Sequence, residues 1–163
     1  MVRVLLTLLL AASGLAADTT VVLLRHAEKV RRSAYAELSD TGRRRAANLP
    51  PLLASFQPAA LFASSLPRTR QTLEPTARIL GIPIQTYARG DEAALAREIL
   101  VEYPDRAVVV CAHSDTLGTL VSALGAGYLP EITGFDRYWV VTVPDTGPST
   151  LREHRQPALP GAP

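Results

Sequence analysis

Apolar residues gather in four runs, residues 19–24, 60–63, 107–111 and 138–143, each bounded by polar or turn-forming positions. The runs do not alternate strictly, which predicts strands covered on both faces rather than on one. Between them, residues 41–55, 69–80, 91–102 and 116–124 read as helices. The third has an apolar stripe from Leu95 and Ile99, and from Ala96 and Leu100, four apart on one face, with Asp91 placed to cap its start. Pro50-Pro51 predicts a break in the first helix, because proline lacks the backbone donor and clashes one turn back. Strands alternating with helices imply an α/β domain, and no internal repeat is visible.

The two ends of the chain read differently from its middle. Residues 1–17 join one basic residue, Arg3, to an apolar run and then to small residues ending in Ala16-Ala17. This is the order of a secretory signal peptide, and it falls short of the roughly 20 apolar residues that a membrane span needs. Export, as to a periplasm, is therefore expected, with no stable membrane insertion after cleavage. Residues 156–163 are rich in proline and glycine and predict a disordered tail. Residues 18–155 are left as a single domain.

Composition narrows the partners. With 47% hydrophobic and 20% charged positions, the chain has the profile of a folded globular domain. A net charge of +2 is too small to imply a nucleic-acid partner. Arg31-Arg32 and Arg43-Arg44-Arg45 read as solvated faces. Cys111 is the only cysteine, so neither an internal disulfide nor a multi-cysteine metal site is available, and its place in an apolar run reads as packing.

Three of the four runs lead at their carboxyl ends into polar, reactive residues. The first continues into Arg25-His26-Ala27-Glu28, the second into Ser64-Ser65-Leu66-Pro67-Arg68, and the third into His113-Ser114. Ligands of open α/β sheets gather outside those strand ends. If the strands are parallel neighbours, Arg25, His26, Arg68 and His113 meet in one crevice. Arginine offers a planar fork of donors matched to phosphate oxygens, and histidine can attack phosphorus or hold a proton near neutrality. Arg70 competes with Arg68 for the same role, and the spacing to Gln71-Thr72 favours Arg68.

These segments resemble the histidine phosphatase superfamily, also called the phosphoglycerate mutase-like family. Arg25-His26-Ala27-Glu28 is similar to its Arg-His-Gly-Glu motif, with alanine at the third place. Leu38-Ser39-Asp40-Thr41-Gly42 is similar to its Leu-Thr-x-x-Gly segment, and Ser64 to Thr72 to its Ser-x-x-x-Arg-Ala-x-Gln-Thr segment. Val110-Cys111-Ala112-His113-Ser114-Asp115-Thr116 is similar to the final Val-x-x-His-x-x-Thr. Four motifs in the family's order, over roughly residues 19–145, are far more specific than any one of them. The chain looks most like the short bacterial members.

The resemblance implies a three-layer α/β/α fold with a mostly parallel sheet, and phosphoryl transfer in two steps. His26 would be the nucleophile and would form a phosphohistidine that water hydrolyses. Arg25, Arg68 and His113 would stabilise the charge on the equatorial oxygens, so no cofactor or metal is called for. Glu28, Ser64 and Ser114, inside the same segments, are assigned to substrate binding, with Ser64 alternatively capping the next helix. The substrate would be a small phosphorylated compound, with residues 30–37 and 128–136 as the walls around it. The family's acid, a glutamate between the second and third motifs, has no convincing match. Asp91 is the candidate, Glu92 its neighbour, and Asp91 serves equally as a helix cap. Without an acid, substrates with good leaving groups would be favoured. Other readings are a phosphate- or phospho-headgroup-binding envelope protein, a phosphohistidine protein phosphatase and, least, a phosphoglycerate mutase. Oligomeric state is not legible.

Overall fold

The computed structural model describes residues 18–30, 33, 35–130 and 132–159. The signal peptide expected over residues 1–17, Arg31-Arg32 and the last four residues of the tail lie outside them. The elements are β1 (Thr19–Arg25), α1 (Asp40–Asn48), α2 (Pro50–Ala54), β2 (Ala60–Ser64), α3 (Pro67–Leu80), β3 (Ile84–Tyr87), α4 (Glu92–Glu102), β4 (Ala107–Ala112), α5 (Leu117–Ala123), β5 (Arg137–Val143) and β6 (Thr150–Arg155).

One six-stranded sheet runs in the order β3-β2-β4-β1-β5-β6. Its first four strands are parallel to one another, whereas β5 pairs antiparallel with β1 and β6 antiparallel with β5. Alternate side chains of the central strands enter two separate cores. Val21, Leu23, Val108 and Val110 pack with Leu95, Ile99, Leu117 and Leu120 of α4 and α5. Val22, Leu24, Val109 and Cys111 pack on the other face with Leu53 of α2 and Leu73 of α3. Both faces are dry, which is why these runs read as continuously apolar in the sequence. Each fully buried leucine or valine contributes about 1.5–3 kcal/mol, enough to fix the register of the central strands and the residues at their ends.

The predicted first helix divides at Leu49, with Pro50 opening α2 where a missing amide costs nothing. Two strands escaped the apolar pattern. β3 is a short edge strand with Gln85 and Thr86 exposed, and β6 is a polar edge strand in which Leu151 alone is apolar. The predicted tail is corrected at its first residue. Gln156 is buried, donating its amide to Asp136 O at 2.7 Å and its side-chain Nε2 to Arg137 O at 3.1 Å. Among the described residues no helix is long and apolar enough to cross a membrane.

Candidate active site

The parallel register aligns the carboxyl ends of β1, β4 and β2. Arg25 lies opposite Ala112, Ala63 opposite Cys111, and the His26 amide donates to Ala112 O at 3.0 Å. The residue after each of β1 and β4 is a histidine, so His26 and His113 stand side by side with ring centroids 5.3 Å apart.

His26 is 4% exposed, and its Nδ1 lies 2.8 Å from Ala27 O. A carbonyl only accepts, so Nδ1 carries the proton and Nε2 keeps a free lone pair. Burial, with the charges of Arg68, Arg25 and Lys29 acting in the same direction, lowers its pKa to about 4 against the opposing effect of the Ala27 bond. The ring is therefore neutral at pH 7, as a nucleophile must be.

Arg68, 7% exposed, projects from the first turn of α3 and donates Nη2 to His113 Nδ1 at 3.1 Å. Arginine has no acceptor, so the proton of a neutral His113 sits on Nε2 and is donated to Ser64 Oγ at 2.7 Å. Ser64 Oγ in turn lies 2.9 Å from Thr69 Oγ1, which donates to Leu66 O at 2.8 Å. Each oxygen in this chain has a donor behind it and an acceptor ahead. Burial first, then the charges of Arg68, His26 and Arg89, push His113 down to about 3, with Asp115 opposing. Arg25 donates Nη1 to Gly134 O at 3.0 Å and lays its guanidinium 4.2 Å from the centre of the Phe135 ring. Residues Gly134 and Phe135 belong to the segment expected as a wall.

The structure thus brings together Arg25, His26, Arg68 and His113, which are distant in sequence. Arg70 faces solvent beside Glu74 instead. Ser64 holds the His113 ring rather than capping α3, whose cap position is Leu66. Glu28 is taken up by Arg45, with Arg45 Nη2 at 2.6 Å from Oε1 and Arg45 Nε at 2.9 Å from Oε2. Arg45 is therefore turned inward, not part of a solvated face as its run of arginines suggested. Ser114 is half-buried and lines a cleft of about 510 Å³ together with Asp115, Thr119, Ser122, Tyr128 and Ile132. Asp91 occupies the cap position of α4 without a side-chain bond and is exposed. Glu92 is buried, with Oε2 accepting from the Gly90 amide at 2.9 Å.

Several supporting residues carried no assigned role in the sequence. Thr72 Oγ1 accepts from the Ala27 amide at 2.9 Å and donates to Arg68 O at 2.7 Å, while Gln71 Oε1 accepts from the Leu38 amide at 2.8 Å. One face of α3 therefore ties together the loop after β1, the segment before α1 and the Arg68 backbone. Arg89 and Asp115, an ion pair whose charges act on His113 and Arg68, also carried no assigned role. An isolated charged residue in a loop gives no periodic or spacing signal.

Two outcomes follow. Both histidines are held neutral below the ordinary imidazole value of 6.5, so between there and about pH 4 the unfolded chain binds protons that the folded one does not. Their stabilising effect is complete above pH 6.5 and is lost as pH falls through the folded values. His26 alone is expected to account for a loss on the order of 3 kcal/mol by pH 4. Urea unfolding from pH 7 to pH 4 should show this fall, and a shallower one in His26→Gln. Ser64→Ala leaves the buried His113 Nε2–H without its acceptor, and should cost about 1–3 kcal/mol of stability and lower kcat about tenfold. Denaturation and steady-state kinetics on the same preparation check both numbers.

Comparison with known proteins agrees with this geometry. The sequence profile of the histidine phosphatase superfamily (branch 1) matches residues 21–97. No curated protein matches the sequence significantly. Among solved structures, a mycobacterial glucosyl-3-phosphoglycerate phosphatase superposes with a TM-score of 0.66 at 17% identity, covering 86% of this chain and 99% of its own. The same mycobacterial protein in complex with inorganic phosphate gives 0.63 at 19% identity, covering 85% and 97%. The protein histidine phosphatase SixA, complexed with tungstate, gives 0.67 at 20% identity, covering 83% and 96%. The matched segment contains the Arg25-His26 and Arg68 segments, and the sheet that carries them has the phosphoglycerate mutase-like form: over residues 21–97 the chain is similar to the histidine phosphatase superfamily.

Proposed function

We propose that the protein is a phosphatase that hydrolyses a small phosphate monoester or similar phosphoryl compound through a phosphohistidine on His26. The observation that carries this reading is a neutral His26, its Nδ1 tied to Ala27 O, standing beside the guanidinium groups of Arg25 and Arg68, with Arg68 braced on His113. The Nδ1–H of His26 is anchored to Ala27 O, which leaves the Nε2 lone pair as the free one on a ring that stands beside His113 and under the charges of Arg68 and Arg25. In the first step Nε2 bonds to phosphorus as the bond to the leaving oxygen breaks. Arg25 and Arg68 hold the equatorial oxygens, where negative charge is spread, and each such donor is worth about 10²–10³ in rate. In the second step water attacks the same phosphorus, the P–N bond breaks, and inorganic phosphate leaves.

Metal-independence is part of the proposal, because the fixed cations supply the charge that a divalent ion would otherwise supply. The solved neighbours hold phosphate and tungstate, tetrahedral oxyanions of the kind this pocket suits. We also propose that the protein acts after export, on the strength of the leader-like residues 1–17. The test is hydrolysis of 4-nitrophenyl phosphate by the chelator-treated protein, with tungstate as inhibitor. Turnover that survives chelation and is competitively inhibited by tungstate supports the reading. Tungstate binding without turnover of aryl, alkyl or N-phosphoryl compounds would instead make the protein a binding module.

A further inference from the structure

Residues 128–136, expected as a wall around the substrate, bring one side chain against the reacting groups themselves. Phe135 is half-buried, and the Arg25 guanidinium carbon lies over its ring at 4.2 Å from the centroid. The same ring stands 6.0 Å from the His26 ring, centroid to centroid, at an interplanar angle of 46°. One aromatic side chain therefore touches both an oxyanion-binding residue and the nucleophile.

The backbone on each side of Phe135 is fixed. Gly134 adopts a φ of +77°, a left-handed conformation that glycine takes without strain, and its carbonyl accepts Arg25 Nη1 at 3.0 Å. Asp136 accepts the Gln156 amide on its backbone carbonyl at 2.7 Å and Arg155 Nη1 on Oδ2 at 2.6 Å. The buried Gln156 side chain donates to the next carbonyl, Arg137 O. The carboxyl end of β6 thus anchors the loop that carries the ring.

The partners of Arg25 share one property. Arg45, Arg89 and Arg155 are each held by a carboxylate, whereas Arg25 forms no ion pair among the described residues. A carbonyl and a ring hold it instead, and both are uncharged. A carboxylate would fix the guanidinium as well, but would offset the charge that phosphoryl oxygens need. A ring attracts it through its quadrupole, leaves the whole positive charge, and covers a face of the planar group rather than its N–H edges. Arg25 Nε, buried and without a hydrogen-bond partner, keeps a donor for an oxyanion.

We propose, on the basis of the phosphatase reading above, that Phe135 is a positioning residue whose ring holds the Arg25 guanidinium and the His26 imidazole in a fixed relation without neutralising the cation. It is not a wall that selects the organic group of the substrate. Without the attraction of the ring, Arg25 keeps only its bond to Gly134 O and has to be ordered when the oxyanion binds. The loss then falls on every tetrahedral oxyanion, whatever group it carries.

The experiment compares full-length wild type, Phe135→Tyr, Phe135→Leu and a protein with pentafluorophenylalanine placed site-specifically at position 135. Tungstate affinity is measured by calorimetry, kcat and KM on acetyl phosphate and 4-nitrophenyl phosphate, and folding by circular dichroism. The fluorinated ring keeps the shape of phenylalanine and reverses its quadrupole, so it packs as wild type while losing its hold on the cation. It should bind tungstate about tenfold more weakly and lose about tenfold in kcat/KM, by the same factor on both substrates. Phe135→Leu should lose at least as much, and Phe135→Tyr should stay within about twofold of wild type. A merely structural role would spare the fluorinated protein. Wild-type behaviour of the fluorinated protein overturns the assignment, and so does a loss confined to 4-nitrophenyl phosphate with tungstate affinity unchanged, which would make the ring a wall. A wild type that turns over neither substrate overturns the phosphatase reading, and the tungstate affinities then still decide whether the ring holds Arg25.

Discussion

His26→Ala is expected to lower turnover of 4-nitrophenyl phosphate by at least about 10⁴-fold while leaving tungstate affinity within a few-fold. The asymmetry follows from how the site divides its labour. Oxyanion binding rests on Arg25 and Arg68, whose positions come from the Gly134 carbonyl and Phe135 ring for one and from the first turn of α3 for the other. Neither depends on the His26 ring. Bond formation to phosphorus depends on that ring alone, because its Nε2 is the lone pair left free when Nδ1 is tied to Ala27 O. Removing it also empties a buried position and leaves Ala27 O without its donor, so a loss of about 1–3 kcal/mol is expected at pH 7. Activity measured beside tungstate titration separates the two roles. A mutant that keeps even a tenth of the activity would show that water attacks phosphorus directly.

Gly42→Ala is expected to destabilise the fold by about 4 kcal/mol and to reduce kcat sharply in whatever protein still folds. Gly42 lies in the first turn of α1, and a Cβ built there would stand 2.1 Å from Glu28 O and 3.0 Å from the Glu28 carbonyl carbon and amide nitrogen. All three are backbone atoms, with no flexible side chain to move aside. The same carbonyl accepts from the Ser39 amide at 2.8 Å and from Ser39 Oγ at 3.2 Å, and Ser39 Oγ in turn accepts from the Gly42 amide at 3.1 Å. The helix start and the loop after β1 therefore form one hydrogen-bonded unit. Accommodating a methyl group means pushing away a strand-end loop whose first residue is His26. Chemical denaturation and kinetics on Gly42→Ala check both effects, and a variant with wild-type stability would show that this contact is looser than described.

Much of this arrangement is legible in the sequence because it rests on two strong signals. The double-faced core makes β1, β2, β4 and β5 continuous apolar runs, and the reactive residues follow three of them directly. Parallel adjacency then suffices to bring Arg25, His26 and His113 together, with Arg68 one helical turn further on. Edge strands lack the first signal: β3 and β6 bury too little for a pattern to form. The scaffold around the site lacks the second. Thr72 and Gln71 work by reaching backbone amides 45 and 33 residues away, and no local spacing encodes such a partner. Arg45 lies in a run of three arginines that differ only in which way the helix turns them, so its grip on Glu28 emerges only when α1 docks on α3. The same holds for Arg89 and Asp115, contributed by two different loops. Asp91 shows the opposite case, a residue with the right helix position whose side chain makes no capping bond.

The most direct test of the central claim is to mix the chelator-treated protein with ³²P-labelled acetyl phosphate, quench within milliseconds, and follow the label on the protein. The account predicts a phosphoenzyme that is stable in base, labile in acid, formed at His26 and turned over to inorganic phosphate at the steady-state rate. Steady turnover with no protein-bound label, or with label that survives in His26→Ala, would contradict it.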